Sequence, residues 1–355
     1  MLVIDGSQGE GGGQVLRSSL ALSVLTGTPI RIENIRAKRA KPGLQPQHNM
    51  CVKAAGAISG ALFKGASVGS TTLTFEPKEV RSGPYQFTIG TAGATSLVLH
   101  TVYLPLALRG SKASEVVIDG GTHVPMSPCF HFLKTTWAAY LRKLGINVAV
   151  EMIRPGFYPR GGGQIRAVIE PCKAVKPLHL MSCPELTTAS GFSAVAGGLP
   201  EAIAKRQARR LSERLKREGL ESHIRIEEWE AANRFASPGT VAAATFLQAP
   251  VPPLFFAIGE RGKPAEVVAD DAADEAIRFR EANCPVDPHS ADQLVLPLAF
   301  AKEASEFRTS EITRHLTTHI DVLKLFLDRE ITLQGREGEA GTVTVGGSAT
   351  RRADL

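Results

Sequence analysis

The sequence predicts an α+β protein of repeated strand–helix units with a smaller α/β block set into it, and three observations carry that prediction. A grammar of strand, glycine turn and helix starts at Leu2 and returns near Ala94. Two tags recur, "VIDG" at Val3–Gly6 and Val117–Gly120, and "GGGQ" at Gly11–Gln14 and Gly161–Gln164. A change of register follows "KPLHLMSCPEL", where a basic amphipathic helix precedes a run of strands. Short glycine tags recur by chance, so the order of elements carries more weight than the tags. The expected division is a large repeat domain at 1–180 and 277–345, an inserted small domain at 181–276, and a tail at 346–355.

In order, Leu2–Asp5 reads as a strand, and after a glycine loop Val15, Leu16, Leu20, Val24 and Leu25 recur near helical spacing until Gly27 stops the helix. "TPIRIENIRAKRA" is a strand running into a basic loop, and "NMCVKAAGAISGALF" is a helix with small residues for close packing. "STTLTFEPKEV" and "YQFTIGT" alternate like strands joined by a turn at "RSGP". "ATSLVLHTVYLPLAL" is helical, "EVVIDGG" a strand, "HFLKTTWAAYLRKLG" a helix closing on Gly145, and "INVAVEMI" and "GGGQIRAVIEP" strands again. In the inserted block, the helix "PEAIAKRQARRLSERLKREGL" precedes the strands "SHIRIEEWEA", "TVAAATFLQAP" and "PLFFAIGERG". The chain resumes with the helix "PAEVVADDAADEAIRFREA", the segment "HSADQLVLPLAFA" and a last helix around "ITRHLTTHIDVLKLFL". "GTVTVGG" closes the fold and "SATRRADL" reads as a frayed tail.

Aromatic residues make up only 6% of the chain, so the core is expected to be aliphatic. A net charge of +6 suits an anionic partner such as nucleic acid or nucleotide, although a mildly basic soluble protein explains it as simply until the charges cluster. Five dispersed cysteines without a CxxC pair suggest reduced thiols in a cytoplasmic protein. "MLVID" enters a strand with no basic n-region or apolar h-region, so no secretory signal is expected. No apolar run is long enough to span a bilayer, so no membrane partner is expected.

Five stretches could carry chemistry. "SQGEGGGQVLRSSL" opens a helix with Glu10 inside a glycine loop. It lacks the Gly-Lys-Ser/Thr of a Walker A loop, and Gln14 stands where a dinucleotide fingerprint has its third glycine. N–H groups at a helix start bind anions, and a glutamate beside them makes sense if Mg²⁺ bridges carboxylate and phosphate oxygens. A tight turn with Glu10 exposed is the simpler alternative. The run "IRAKRAKPGLQPQHN" holds Arg36, Lys38, Arg39 and Lys41 and then Gln47 and His48. Arginine forks suit phosphate, and a solvated loop is the plain reading.

In "EITRHLTTHIDVLKLFL", Ile312, Leu316, Ile320, Leu323 and Leu327 form a buried stripe, with His315 and His319 beside it. Three readings stay open for these histidines: border residues satisfied by hydrogen bonds, half of a metal site without a third ligand, or a nucleophile attacking phosphorus. In "HSADQLVLP", Ser290 or Asp292 serves as a helix N-cap, or Asp292 and Gln293 line a pocket. The helix with Lys205, Arg206, Arg209, Arg210, Arg214, Lys216 and Arg217 is an exposed face or a polynucleotide path.

Together these stretches resemble the RNA 3′-terminal phosphate cyclases. The resemblance runs over nearly the whole chain through "DGSQGEGGGQVLRS", "IRAKRAKPGLQPQH", "IGTAGATSLVL", "RPGFYPRGGGQI", "AEVV", "ADQLVLPLA" and the histidine-bearing last helix. It implies three repeated units, each a four-stranded sheet with two helices like units in the enolpyruvyl transferases, with the small domain inserted in the third. It implies an ATP-dependent nucleotidyl-transfer ligase that adenylates a histidine with ATP and Mg²⁺ (or Mn²⁺), passes AMP to an RNA 3′-phosphate and closes a 2′,3′-cyclic phosphate. By resemblance, His315 is the nucleophile and Glu10 the metal ligand. Glu10, Gln47, Asp292 and Gln293 handle ATP, and Arg17, Arg36, Arg39 and His48 handle phosphate. His289 stands where some relatives stack a tyrosine on adenine. Cyclase-like relatives without activity lack the histidine, so His315 points to the catalytic branch. No oligomeric state is implied.

Overall fold

The computed structural model describes residues 1–230, 236–347 and 350–351. Its first unit runs β1 (Leu2–Asp5), α1 (Gly13–Thr26), β2 (Ile30–Glu33), α2 (Pro46–Ser59), β3 (Leu62–Lys64) and β4 (Leu73–Glu76), with sheet order β1-β2-β4-β3. The second runs β5 (Pro84–Thr88), α3 (Thr95–Arg109), β6 (Ser114–Gly120), α4 (residues 130–143, with a π-helical turn at Leu133–Trp137), β7 (Val148–Arg154) and β8 (Gly163–Ile169). Its order, β5-β6-β8-β7, is that of the first, with one parallel and two antiparallel pairings in each.

The third unit starts with β9 (His179–Leu180) and is interrupted by β10 (Thr188–Ala196), α5 (Glu201–Arg217), β11 (Glu221–Trp229), β12 (Gly239–Thr245), β13 (Leu254–Ile258) and α6 (Ala265–Ala282). These four strands form a sheet of their own, ordered β11-β10-β12-β13. The unit then resumes with α7 (Pro288–Leu298), β14 (Ser305–Thr309), α8 (Arg314–Phe326), β15 (Leu327–Asp328), β16 (Ile331–Gln334) and β17 (Gly341–Val345). Its order β9-β14-β17-β16 repeats the plan once more, so the fold is α+β with three like units.

Helix α1 is the hub. Val15, Leu16 and every residue from Ser18 to Leu25 are buried, and the helix packs on α2, α3 and α8. A helix apolar on one stripe only sits at a surface; one buried on nearly every face belongs in the middle. Buried Ser18, Ser19 and Ser23 keep it slim enough for three neighbours. The surrounding core is mainly aliphatic, as a chain poor in aromatics requires.

Several details differ from the sequence reading. β4 and β5 belong to different sheets, so "RSGP" links two units and closes no hairpin. The helix read from Asn49 to Phe63 starts at Pro46 and stops at Gly60, whose φ of 58° is left-handed, and Leu62–Lys64 turns into a strand. The repeated tags are not structural equivalents. Gly11–Gln14 enters a helix whereas Gly161–Gln164 enters a strand, and "VIDG" falls on the first strand of one unit but the second of the next. The plan of the sheets, not the tags, carries the repeat. Of the expected frayed tail, Thr350–Arg351 pairs with Leu327–Asp328, and the rest lies outside the described residues.

The stretch Arg154–Gly163 works as a joint. Arg154 donates to Asp119 (2.7 Å), the Gly162 carbonyl (3.0 Å) and Gln164 (3.2 Å). Phe157 stacks on His123 and lies against Gly239 of β12, where a Cβ would overlap its ring. The Arg160 N–H donates to Ser237 (3.0 Å), tying the same loop to the inserted block. Gly239→Ala should therefore cost about 1–3 kcal/mol through overpacking, read as a fall in thermal midpoint; an unchanged midpoint would show that the Phe157 ring yields freely.

Candidate active site

The glycine loop between β1 and α1 passes through gaps that admit no side chains. Gly9 has φ 55°, and a Cβ there would overlap Thr318 of α8. A Cβ on Gly12 would come within 2.7 Å of Arg39 Nη2 and overlap the Glu10 carboxylate. One on Gly13 would come within 2.7 Å of Arg17 Nη1 and overlap His48 Nε2. Thr318 Oγ1 accepts from the Glu10 N–H (3.2 Å), and Arg314 donates to the Gly9 carbonyl (3.3 Å). The loop is thus pinned to the last long helix, and Glu10 is held in place, not left exposed as a simple turn residue.

Glu10 faces His315. Its Oε2 lies 3.2 Å from His315 Nδ1 and 3.2 Å from Arg39 Nη2, with the glutamate side chain 11% exposed and the imidazole 49%. Burial pulls the His315 pKa below the ordinary histidine value; Glu10 opposes this, and Arg17, His289 and Arg39 add to it. Nδ1 is the ring nitrogen beside the carboxylate, and a neutral ring protonated there holds its lone pair on Nε2. A positioned neutral imidazole of this kind is a nucleophile in form.

His315 opens onto a cavity of about 630 Å³ walled by α1, α3, α4, α6, α7 and α8. That volume suits one ligand of nucleotide size. Arg17 stands at the α1 side, its guanidinium donating to Gln14 (2.9 Å). Asp292 and Gln293 line the α7 side, and Asp292 Oδ1 and Gln293 Oε1 are buried without a hydrogen-bond partner. Burial raises the Asp292 carboxyl to about 7. His289 lies at the rim, 3.9 Å from Glu275 of α6; burial would lower its pKa, but Glu275 and Asp287 hold it up at about 9. Phe132, Trp137 and Phe256 supply an apolar end.

The structure therefore gathers Arg17, His289, Asp292, Gln293 and His315 on one cavity, with Glu10 joined through His315 and Arg39 through Glu10. Three expected site residues take other positions. Arg36 donates to the carbonyls of Lys41 (2.7 Å) and Gly43 (2.9 Å) and braces the basic loop. Gln47 accepts from the Ala94 N–H (3.0 Å) where α3 begins. His48 accepts from the Gln45 N–H (3.2 Å) in the cap of α2, behind Arg17, and burial lowers its pKa to about 3.

The α7 N-cap is neither Ser290 nor Asp292 but Asp287, which accepts from the Ser290 N–H (2.9 Å). His319 has a hydrogen-bond partner, the Asp292 carbonyl (2.6 Å), and no set of three metal-ligating side chains occurs among the described residues. The cations of α5 are largely matched from within: Arg206 pairs with Glu266 (2.6 Å), Arg210 with Asp270 (2.7 Å), and Arg214 with Asp270 (3.0 Å) and Asp274 (2.6 Å). That ladder engages three of the seven cations named for this helix.

Comparison with known proteins now bears on this geometry. The family profile described as RNA 3′-terminal phosphate cyclase matches residues 8–333. The chain belongs to the RNA 3′-terminal phosphate cyclase family. A relative of that name from Caldivirga maquilingensis is 42% identical over 93% of this chain and 94% of its own length. Another from Pseudomonas fluorescens is 43% identical over 89% of this chain and 90% of its own. The solved enolpyruvyl transferase NikO from Streptomyces tendae aligns with 98% of this chain and 48% of its own at 10% identity and a TM-score of 0.34, too slight a likeness to bear on the fold.

Family membership leaves several residues that sequence spacing did not single out. Thr318 positions Glu10, and Gln14 orients Arg17. The α6 helix brings Asp271, Asp274, Glu275 and Arg278 to the cavity wall, so the inserted block is part of the pocket. The positive φ at Gly9 is the signal that loop and helix must approach closely, but it becomes visible only in three dimensions.

Asp292 generates a pH prediction. Its folded pKa of about 7 exceeds the ordinary 3.8, so the stability present below that ordinary value is lost as pH rises through about 7. Between those limits, the wild type should lose about 2–4 kcal/mol relative to Asp292→Asn, measured as urea midpoints at acid and neutral pH. Parallel stability curves for the two proteins would contradict the burial argument.

Proposed function

We propose that this protein converts the 3′-terminal phosphate of RNA into a 2′,3′-cyclic phosphate using ATP, releasing AMP and pyrophosphate. The observation that carries the reading is the neutral His315 imidazole, its Nδ1 3.2 Å from Glu10 and its Nε2 free to act in a nucleotide-sized cavity. Nε2 attacks the α-phosphorus of ATP, the P–O bond to pyrophosphate breaks, and a His315–AMP bond forms. The ring becomes positively charged as its lone pair is used, and the Glu10 carboxylate stabilises that charge. An oxygen of the RNA 3′-phosphate then displaces His315 to give RNA-ppA. The vicinal 2′-hydroxyl attacks the terminal phosphorus, loses its proton, and expels AMP. Activation is needed because a phosphate monoester is a poor electrophile until AMP becomes its leaving group.

The side chains divide the work. Arg17 and Arg39 offer guanidinium groups to phosphate oxygens on the α1 side, and Asp292, Gln293 and the His289 ring address the nucleoside. Arg36, Gln47 and His48 shape the loop and helices that hold these groups; any contact of theirs with phosphate requires a bound substrate. Mg²⁺ (or Mn²⁺) fits the Glu10 carboxylate, because Oε2 alone takes both protein partners and Mg²⁺ favours one or two carboxylates plus phosphates. The metal would neutralise triphosphate charge when bound. On this reading residues 181–276 form a small domain inserted into the third unit, and the protein works on RNA ends in the cytoplasm. Among the described residues no helix is long and apolar enough to cross a membrane.

Incubation with α-labelled ATP and Mg²⁺ should give an acid-labile protein–AMP adduct that is absent from His315→Ala and formed roughly 10²–10³-fold more slowly by Glu10→Ala. The same ATP should make the phosphate of 3′-phosphorylated RNA resistant to phosphatase. An adduct retained by His315→Ala would refute the nucleophile. Parallel adenylation with ATP and GTP reads out the base preference that His289 confers.

A further inference from the structure

The second histidine of α8 remains without a role. His319 lies on α8, four residues after His315, and is 4% exposed. Its Nδ1 sits 2.6 Å from the Asp292 carbonyl oxygen. A carbonyl can only accept, so Nδ1 carries the proton and the neutral ring presents Nε2 as a lone pair. Nε2 is buried without a hydrogen-bond partner, as are Asp292 Oδ1 and Gln293 Oε1 beside it. All three residues line the same cavity. An unpaired buried polar atom costs about 1–3 kcal/mol, so a cavity lined with four of them, His100 Nε2 being the fourth, is built for a ligand that supplies donors.

The chemistry of the strip narrows the ligand. Phosphate oxygens at neutral pH chiefly accept, so they call for the donors of Arg17 and not for the acceptors of His319, Asp292 and Gln293. Flat apolar groups belong with Phe132, Trp137 and Phe256. Hydroxyl and amino donors remain, and of a nucleotide's donors the sugar hydroxyls lie nearer the α-phosphate than the base amino group does. His319 is one helical turn from His315, about 6 Å along the axis, and in a nucleoside triphosphate the sugar is the group next to the α-phosphate.

We infer that His319 Nε2 accepts a hydrogen bond from a ribose hydroxyl of the nucleotide that His315 attacks, and thereby selects ribonucleotides over deoxyribonucleotides. This rests on the adenylation reading for the placement of the α-phosphate. The Asp292 carbonyl fixes the tautomer, so α7 sets both the acceptor on α8 and the two acceptors of its own.

Binding of ATP, 2′-dATP and 3′-dATP to the intact chain, measured by titration calorimetry, tests it. The wild type should bind at least one deoxy analogue about tenfold more weakly than ATP. His319→Phe, which keeps the ring and removes both nitrogens, should bind all three within about twofold of one another. His319→Gln, with a donor for the Asp292 carbonyl and an acceptor oxygen, should restore part of the preference. These are ratios, so a partly inactive preparation does not alter them. If a variant does not fold, ¹⁵N NMR of the wild-type imidazoles reads the same contact: Nε2 of His319 should shift with ATP and stay unmoved with 2′,3′-dideoxy-ATP. A wild type indifferent to the sugar hydroxyls, a preference unchanged in His319→Phe, or an unmoved Nε2 with ATP overturns the inference. Labelled-AMP transfer on the same preparations separates it from the reading beneath. An adduct without sugar preference sinks this inference alone, whereas sugar preference without an adduct sinks the histidine nucleophile alone.

Discussion

The close approach of the loop at residues 9–13 to helix α8 is the constraint on which the site depends. The Glu10 N–H reaches Thr318 across 308 residues of sequence, and a Cβ on Gly9, Gly12 or Gly13 would enter space taken by Thr318, Arg39, His48 or Arg17. No other residue type lets a backbone pass so near four side chains at once. The contact joins the first repeat to the third and sets Glu10 against His315. The glycines are thus needed less for their own backbone freedom than for the distance between a carboxylate and an imidazole.

From that contact the electrostatics of the cavity follow in sequence. Glu10 is flanked by Arg39 and His315, so its charge is balanced before any phosphate arrives. Arg17 sits deeper, and with His48 and His100 close by and pushed down to about 3, the cation faces neutral imidazoles and not competing positive charges. On the far wall, Asp292 and Gln293 present oxygens with no protein donors. A ligand charged at one end and rich in hydroxyls at the other is complementary to this polarity, and reversed insertion would set phosphate against carboxylate.

Legibility in the sequence varied with the range of the interaction. Helix α1 and its stop at Gly27 were plain because periodicity and a left-handed cap are local. The link at "RSGP" was misread because alternation marks a strand but does not name its partner; β4 and β5 each found a parallel-and-antiparallel sheet of their own. Glu10, Arg17 and His315 stood out by residue type and neighbours, and the structure brings them together. Arg36 and Gln47 stood out equally and proved to hold backbone groups of the loop and of α3. Side-chain type alone cannot separate those fates, since one guanidinium suits carbonyl and phosphate alike. His319 was visible but ambiguous, because its tautomer is set by a carbonyl on another helix.

The position of the inserted block completes the argument. It enters between β9 and α7, at the point where the third unit repeats the strand-to-helix connection that carries the glycine loop in the first. In a βαβ unit that connection lies at the carboxyl end of the strand, the customary rim for ligands in α/β sheets. An insertion there falls beside the pocket, and α6 accordingly lends Glu275 and Arg278 to its wall while β13 lends Phe256 and Ile258. The Arg–Asp ladder ties α5 to that wall, with Asp270 shared by Arg210 and Arg214. A bidentate network of partly buried pairs fixes one helix against the other more firmly than isolated surface pairs do. Three arginines of α5, Arg206, Arg210 and Arg214, thus anchor the helix that reaches the cavity wall, and Asp274 serves both contacts.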